Sequence, residues 1–204
     1  MKKVFLFSAI VLVALGLSGC GYNTLTAEQQ KVKGAWADVE SSMQRRADLV
    51  PNLVKAAQMA AVQEQEVFGE VANARSRLLD AKSANPEGTG GDKSAAQKQA
   101  IIEANNSFGG TIGRLLSLTE SYPQLKSSEA FMKVQDELAG TENRIGTARG
   151  DYNKAVTQYN TSRNQFPTVI TAKIFGFQDE AFFKAEEGAN KAPDIGSPDA
   201  LRKK

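Results

Sequence analysis

Two charged side chains interrupt an otherwise apolar seam. Residues Val32, Trp36, Val39, Met43, Arg46, Val50, Leu53, Ala57, Ala60, Glu64, Val67, Val71, Ala74 and Leu78 follow one another by threes and fours, and twelve of these fourteen are apolar. That period belongs to a helix buried along one stripe, not to a strand. Arg46 and Glu64 could bind ligand or perform acid–base work if a concave pocket surrounded them. The structural alternative is that each meets an opposite charge on a facing helix, or snorkels to the bundle edge, and so fixes register. They stand 18 residues apart, about 27 Å along a continuous helix at ~1.5 Å per residue, so direct pairing requires the chain to turn over between them. Arg45, Asp48 and Asn52 surround Pro51, whose ring removes a helical hydrogen bond. Capping and bracing is their expected role, with ligand recognition the alternative. Tyr152-Asn153 and Tyr159-Asn160 repeat at seven residues and share one helix side. Their rings are expected in the core, with hydroxyls at its edge and the asparagines flanking. No spacing among Glu120, Glu129, Asp136, Glu137 and Glu142 singles out an acid–base pair. Gly88-Thr89-Gly90-Gly91 lacks the following Lys-Ser/Thr of a phosphate loop.

The chain has no histidine and one cysteine. His-based triads, Cys–His dyads, the usual zinc sites, internal disulfides and c-type haem attachment are therefore excluded, and neither metal nor cofactor is expected. Lys plus Arg number 25 against 23 Asp plus Glu, a net +2, without the basic excess of a nucleic-acid binder. With 204 residues, 41% of them hydrophobic and 24% charged, the chain suits one folded domain, or two at most.

The cysteine stands where it has a chemistry of its own. Lys2-Lys3 precedes the apolar stretch Val4–Leu17, and then Ser18-Gly19-Cys20. A basic start, a short apolar core and small residues make a secretory signal pattern, and the core is shorter than the ~20 residues of a membrane span. Leu17-Ser18-Gly19-Cys20 resembles the lipobox of bacterial lipoproteins. That resemblance implies removal of residues 1–19, a diacylglycerol thioether on Cys20 and an acyl chain such as palmitate on the new amino group. Two or more chains anchor stably where one does not. The mature chain would balance at 23 basic and 23 acidic residues, so the lipid, not surface charge, is the anchor. The residue after Cys20 is Gly21 rather than the Asp that retains Gram-negative lipoproteins in the inner membrane. By the same resemblance the periplasmic side of the outer membrane is expected there.

The remainder is a series of helices. Thr26 with Gln29 offers a capping box, leaving residues 20–25 as a short tether. Pro51 leaves both a kink and a break open, at a cost of about 3 kcal/mol to a continuous helix. Lys82–Asp92 has the composition of a loop. A second helical stretch runs from Ser94 to Glu120, with Ile101, Ala104, Phe108, Ile112, Leu115 and Leu118 on its apolar side. Tyr122-Pro123 interrupts it, and Ser127 or Ser128 caps a third, whose stripe is Phe131, Val134, Leu138, Thr141, Ile145, Ala148, Tyr152, Ala155 and Tyr159. Thr168–Phe183 is short and aromatic-rich and is expected to cap one bundle end; 184–204 reads as a disordered tail. The expected fold is all-α, an up-and-down four-helix bundle over residues 26–183. A chain that turns over near Pro51 buries the Trp36–Met43 stripe within itself, and the Gly88–Gly91 loop would reach the far end if the first helix stayed upright.

Several segments together resemble the LemA family. They are Tyr22-Asn23-x-Leu25, Trp36, Gln44-Arg45-Arg46-Ala47-Asp48-Leu49-Val50-Pro51-Asn52-Leu53-Val54, Tyr122-Pro123-x-Leu125-Lys126, Thr141-Glu142-Asn143-Arg144-Ile145, Ala148-Arg149, the two Tyr-Asn pairs and Phe166-Pro167. The match spans roughly residues 21–180. It implies a helical bundle at a bacterial membrane, with no catalytic residues to carry over and no established molecular function. Family members often carry an amino-terminal membrane helix, which a lipobox replaces here. The expected protein is a non-enzymatic envelope scaffold whose helical faces bind an envelope protein or a second copy of itself. The alternative is a ligand-binding module or enzyme with a polar site near Arg46. Cys20 is the expected lipidation site, and Trp36, Arg45, Arg46, Asp48, Asn52 and Glu64 are the candidate interaction or register residues.

Overall fold

A computed structural model describes the backbone of residues 2–84 and 93–183, with side chains from Gly21 onward. The expected tail at 184–204 and the Gly88–Gly91 loop lie outside the described residues. Helix α1 runs Lys2–Met59, α2 Gln65–Ser83, α3 Ala95–Ser121, α4 Glu129–Asn164 and α5 Thr168–Phe175, with a 3-10 turn at Pro123–Ser127. Side-chain bonds fix the directions. Arg75 and Lys82 of α2 reach Ala47 and Glu40 of α1, Arg114 of α3 reaches Glu70 of α2, and α4 places Glu142 on Arg46 and Ser162 on Glu28 of α1. Among α1 to α4 each helix is antiparallel to the one before it, and α4 closes the bundle against α1. The up-and-down four-helix bundle is the observed fold.

The α1 seam is buried from Val32 to Ala57, and Val71, Ala74 and Leu78 continue it on α2. Ser94 caps α3 with a full capping box to Gln97, and Ser128 caps α4, each satisfying amide groups that a helix start leaves unpaired. One expectation about α1 is overturned. Residues 21–25 are not a tether: the helix passes through them, Leu25 is fully buried, and Thr26 caps nothing. Of the two alternatives open at Pro51, the break does not occur, and the helix continues to Met59. The chain turns over nine residues later, at Ala60–Glu64.

There Val62 N–H bonds Ala57 O and Ala61 N–H bonds Gln58 O, with Ala61 at φ 60°. This is a Schellman ending, stabilised by the buried Val62 against Ala57. The left-handed position holds alanine instead of the usual glycine, at about 1–2 kcal/mol, so no turn residue marks it in the sequence. Because α2 returns along α1, Lys82 and Lys93 both meet Glu40, Lys82 on its carbonyl and Lys93 on its carboxylate at 3.1 Å. The 60–64 turn lies at the end of the bundle away from Gly21.

Beyond α4, α5 packs on α1 and α4 at the Gly21 end. It stops at Gly176, whose φ of 73° is one that glycine adopts without strain. Phe177–Phe183 then runs without helix along α4, held by Tyr159, Asn160, Tyr152 and Asn153 in turn.

Candidate functional site

The Arg-Arg-Ala-Asp-Leu-Val-Pro-Asn segment divides its residues between the bundle interior and one outer face. Arg46 points inward and is 8% exposed. Its guanidinium donates to Asn105 Oδ1 at 3.3 Å, pairs with Glu142 at 3.2 Å and lies 6.0 Å over the Phe108 ring. A Cβ on Gly109 would stand 2.6 Å from one guanidinium nitrogen, so a methyl there would force the arginine tip to shift from its present partners. Arg46 thus meets an opposite charge on a facing helix, while Glu64 does not pair with Arg46. Glu64 sits half-buried at the start of α2 and accepts the Tyr122 hydroxyl at 2.6 Å. That bond is the leading cause that holds the Tyr122 phenol above its ordinary pKa, ahead of burial.

Pro51 leaves the Ala47 carbonyl without its helical donor, since residue 51 has no N–H. Arg75 of α2 supplies one: its Nε donates to Ala47 O at 2.7 Å, and its outer nitrogen lies 3.6 Å from Asp48. The donor arrives from the adjacent helix, and α1 has no reason to stop. Arg45, Asp48 and Asn52 are exposed. Together with Gln44, Leu49 and Lys82 they line an open groove of ≈ 760 Å³ along α1 and α2. Lys82 donates to Gln44 and to Glu40 O, and burial is the first cause that lowers its pKa, against the opposing pull of Glu40 and Asp48.

Trp36 is buried, edge-on to Tyr152 at 5.3 Å. Lys98 lies 5.6 Å above the indole and 5.5 Å above the tyrosine ring, and is paired to Glu180 at 2.8 Å. A cleft of ≈ 410 Å³ opens here, walled by Gln29, Lys33 and Glu40 of α1, by Lys93 and Lys98, and by Gln178 and Glu180 of the carboxy-terminal segment. The indole N–H is buried without a hydrogen-bond partner. Cys20 lies within the α1 backbone.

Sequence reasoning missed Lys98, Asn105 and Glu28, all less than 9% exposed. The first two had a signal. Lys98, Ile101, Asn105, Phe108, Ile112 and Leu115 step by threes and fours and are all buried, so α3 carries a polar-interrupted seam like that of α1. Choosing the half-buried Ala104 for the stripe hid it. Glu28 precedes the first seam residue recognised and accepts from Gln158 and Ser162.

The Tyr-Asn pairs do more than flank a core. Asn160 Nδ2 donates to Glu180 O at 2.9 Å and Glu180 N–H donates back at 3.0 Å; Asn153 repeats this with Phe183 at 3.1 and 2.8 Å. Tyr152 and Tyr159 donate to Ala181 O and Gln178 O. These contacts recognise main chain, and they add to the side-chain contacts of the segment, such as Glu180 with Lys98 and Asp179 with Arg163. Replacing both asparagines, Asn153→Ala and Asn160→Ala, removes four such bonds at ~0.5–1.5 kcal/mol each. The expected result is faster amide exchange confined to residues 177–183, by about 2–6 kcal/mol of local stability; unchanged exchange there would refute the clamp. Burial, then Glu180, raises the pKa of both tyrosines. The fold therefore favours their neutral forms, and that stability is present below the ordinary value of ~10 and lost as pH climbs through the raised values.

Among the described residues no three His, Cys, Asp or Glu side chains group to hold a metal ion. Among residues with described side chains no helix is long and apolar enough to cross a membrane.

Residues 35–196 match the family model described as the LemA family. Two magnetosome proteins of Paramagnetospirillum magneticum strain AMB-1, MamQ 1 and MamQ 2, are each 28% identical over 186 residues, spanning 85% of this chain and 68% of theirs. Magnetosome protein MamQ of Magnetospirillum gryphiswaldense is 27% identical over 188 residues, with the same shares. The chain belongs to the LemA family.

Proposed function

We propose that this LemA-family bundle is held at a bacterial membrane by lipid on Cys20. There it works without catalysis, as a docking post for an envelope protein. The groove along α1 and α2 carries the reading: Arg45, Asp48 and Asn52 are all exposed on it, whereas Arg46 is spent on Glu142 and Asn105 inside. The lipobox-like Leu17-Ser18-Gly19-Cys20 supports the anchor, and an exported lipoprotein of this pattern would sit on the periplasmic side of the outer membrane in a Gram-negative cell. The magnetosome relatives supply no activity to transfer.

The test has two readouts in one strain. Metabolic labelling with a clickable fatty acid should mark the wild-type chain and not Cys20→Ala, which should also keep its full-length mass. A photoreactive residue at Arg45 should cross-link one discrete membrane-associated protein, whereas one at the exposed Lys126 should not. Label on Cys20→Ala would remove the anchor, and equal cross-linking from both positions would remove the groove. A second reading, small-ligand binding, is favoured by the unpartnered Trp36 indole N–H beside the Lys98 cleft; it shifts the ligand site from Arg46 to that cleft.

A further inference from the structure

We infer that α5 is a second membrane contact, lying in the interfacial layer of the bilayer beside the amino-terminal anchor. The inference rests on the proposed anchoring only for which end of the bundle meets the membrane. Eight large apolar side chains are exposed among the described residues, and five of them, Tyr22, Phe166, Ile170, Ile174 and Phe175, belong to α5 or its immediate surroundings. Single exposed apolar residues need no explanation, but a cluster does.

The cluster is not the outer face of an ordinary amphipathic helix. Thr171 and Ala172 are buried against the bundle, Ile170 and Ile174 point away from it at 52% and 69% exposed, and Phe175, one turn beyond Thr171 at the helix end, is still 57% exposed. Lys173 is the only charge in Thr168–Phe175, on a stem long enough to snorkel to headgroups. A helix apolar on both sides is one that a second apolar phase covers.

Position identifies that phase as lipid. α5 sits against Gly21, whose missing Cβ would stand 3.0 Å from Thr171 and 3.7 Å from Thr168. Gly21 follows Cys20 directly, with about 1.5 Å of helical rise between them, and the apolar stretch Val4–Leu17 ends just before. Whether residues 1–19 are removed or kept, the bilayer surface reaches this level. Tyr22 packs at a tilt against Phe175 with centroids 4.9 Å apart, an aromatic pair of the kind that settles at headgroup depth. The apolar side chains would then enter the headgroup and acyl boundary by about 5–10 Å. Two attachments, one covalent and one through α5, would fix the tilt of the bundle as well as its location.

The full-length chain reconstituted in phosphatidylethanolamine–phosphatidylglycerol vesicles tests this, with a photoreactive phenylalanine analogue at Ile174 or Ile170, or at the exposed Gln58 near the far turn as control. After flotation and irradiation, lipid adducts are expected at 174 and 170 and not at 58. Adducts to a second copy of the chain at 174 would overturn the inference, as would no adduct at either position. If the protein floats in those cases, the amino-terminal anchor survives the failure of α5. A chain that does not float overturns both.

Discussion

Gly109→Ala will destabilise the bundle by about 1–2 kcal/mol, even though alanine is the better helix former by about 1 kcal/mol. The new methyl would stand 2.6 Å from the Arg46 guanidinium, far inside contact distance. A free arginine tip would swing away at little cost, but this one is 8% exposed and engaged by Asn105 and Glu142. Displacing it strains a buried charged hydrogen bond, worth about 1.5–3 kcal/mol, which outweighs the helix gain. The sign should therefore reverse once the arginine is gone. In an Arg46→Ala background, Gly109→Ala should stabilise by about 1 kcal/mol, a coupling of some 2–3 kcal/mol between residues in contact. Urea unfolding of the four species measures it. A Gly109→Ala protein more stable than wild type would mean that the arginine has room, and the tight site at the bundle centre would be abandoned.

That site was half legible in the sequence. Arg46 stood out because a charge on an apolar seam demands an explanation, and a facing opposite charge was the explanation expected. Its partner Glu142 was not distinguishable, because it lies among exposed acids and is itself 53% exposed at the side chain. Asn105 and Gly109 carry meaning only once α3 is laid across α1, a long-range fact that no local spacing contains. Helix starts were readable at Ser94 and Ser128, where side-chain oxygens do the capping. The turn at Ala61 was not, because its left-handed residue lacks the glycine that announces such a position. The asparagines at 153 and 160 illustrate the other limit. Their seven-residue spacing identified a shared helix side, yet their bidentate grip on residues 177–183 depends on a segment returning from beyond the end of α4. Local period predicts which face a residue occupies; it says nothing of what the chain later brings to that face.

Arg75→Met should cost about 2–3 kcal/mol in the natural chain and markedly less when Pro51 is also changed. Proline at a helix interior position removes one donor and presses its ring on the carbonyl four residues before, here that of Ala47. A carbonyl left without a partner inside the bundle costs about 1–3 kcal/mol, and that cost is what would ordinarily end the helix at this point. Arg75 Nε offsets it from the neighbouring helix at 2.7 Å, with Asp48 3.6 Å from its outer nitrogen. The arginine is thus the reason that α1 continues to Met59, and the Pro51 and Arg75 changes cannot be independent. Pro51→Ala restores an N–H aimed at Ala47 O, so in that background Arg75→Met should lose only its packing and its partly exposed ion pair, the latter worth about 0–1 kcal/mol. The cycle should show about 1–2 kcal/mol of coupling. Circular dichroism adds a readout that a surface arginine would not move: helix should fray between Pro51 and Met59 in Arg75→Met, and recover in Arg75→Met with Pro51→Ala. If the two changes add within ~0.5 kcal/mol and helix content is the same in all four proteins, α1 passes its proline without help from α2.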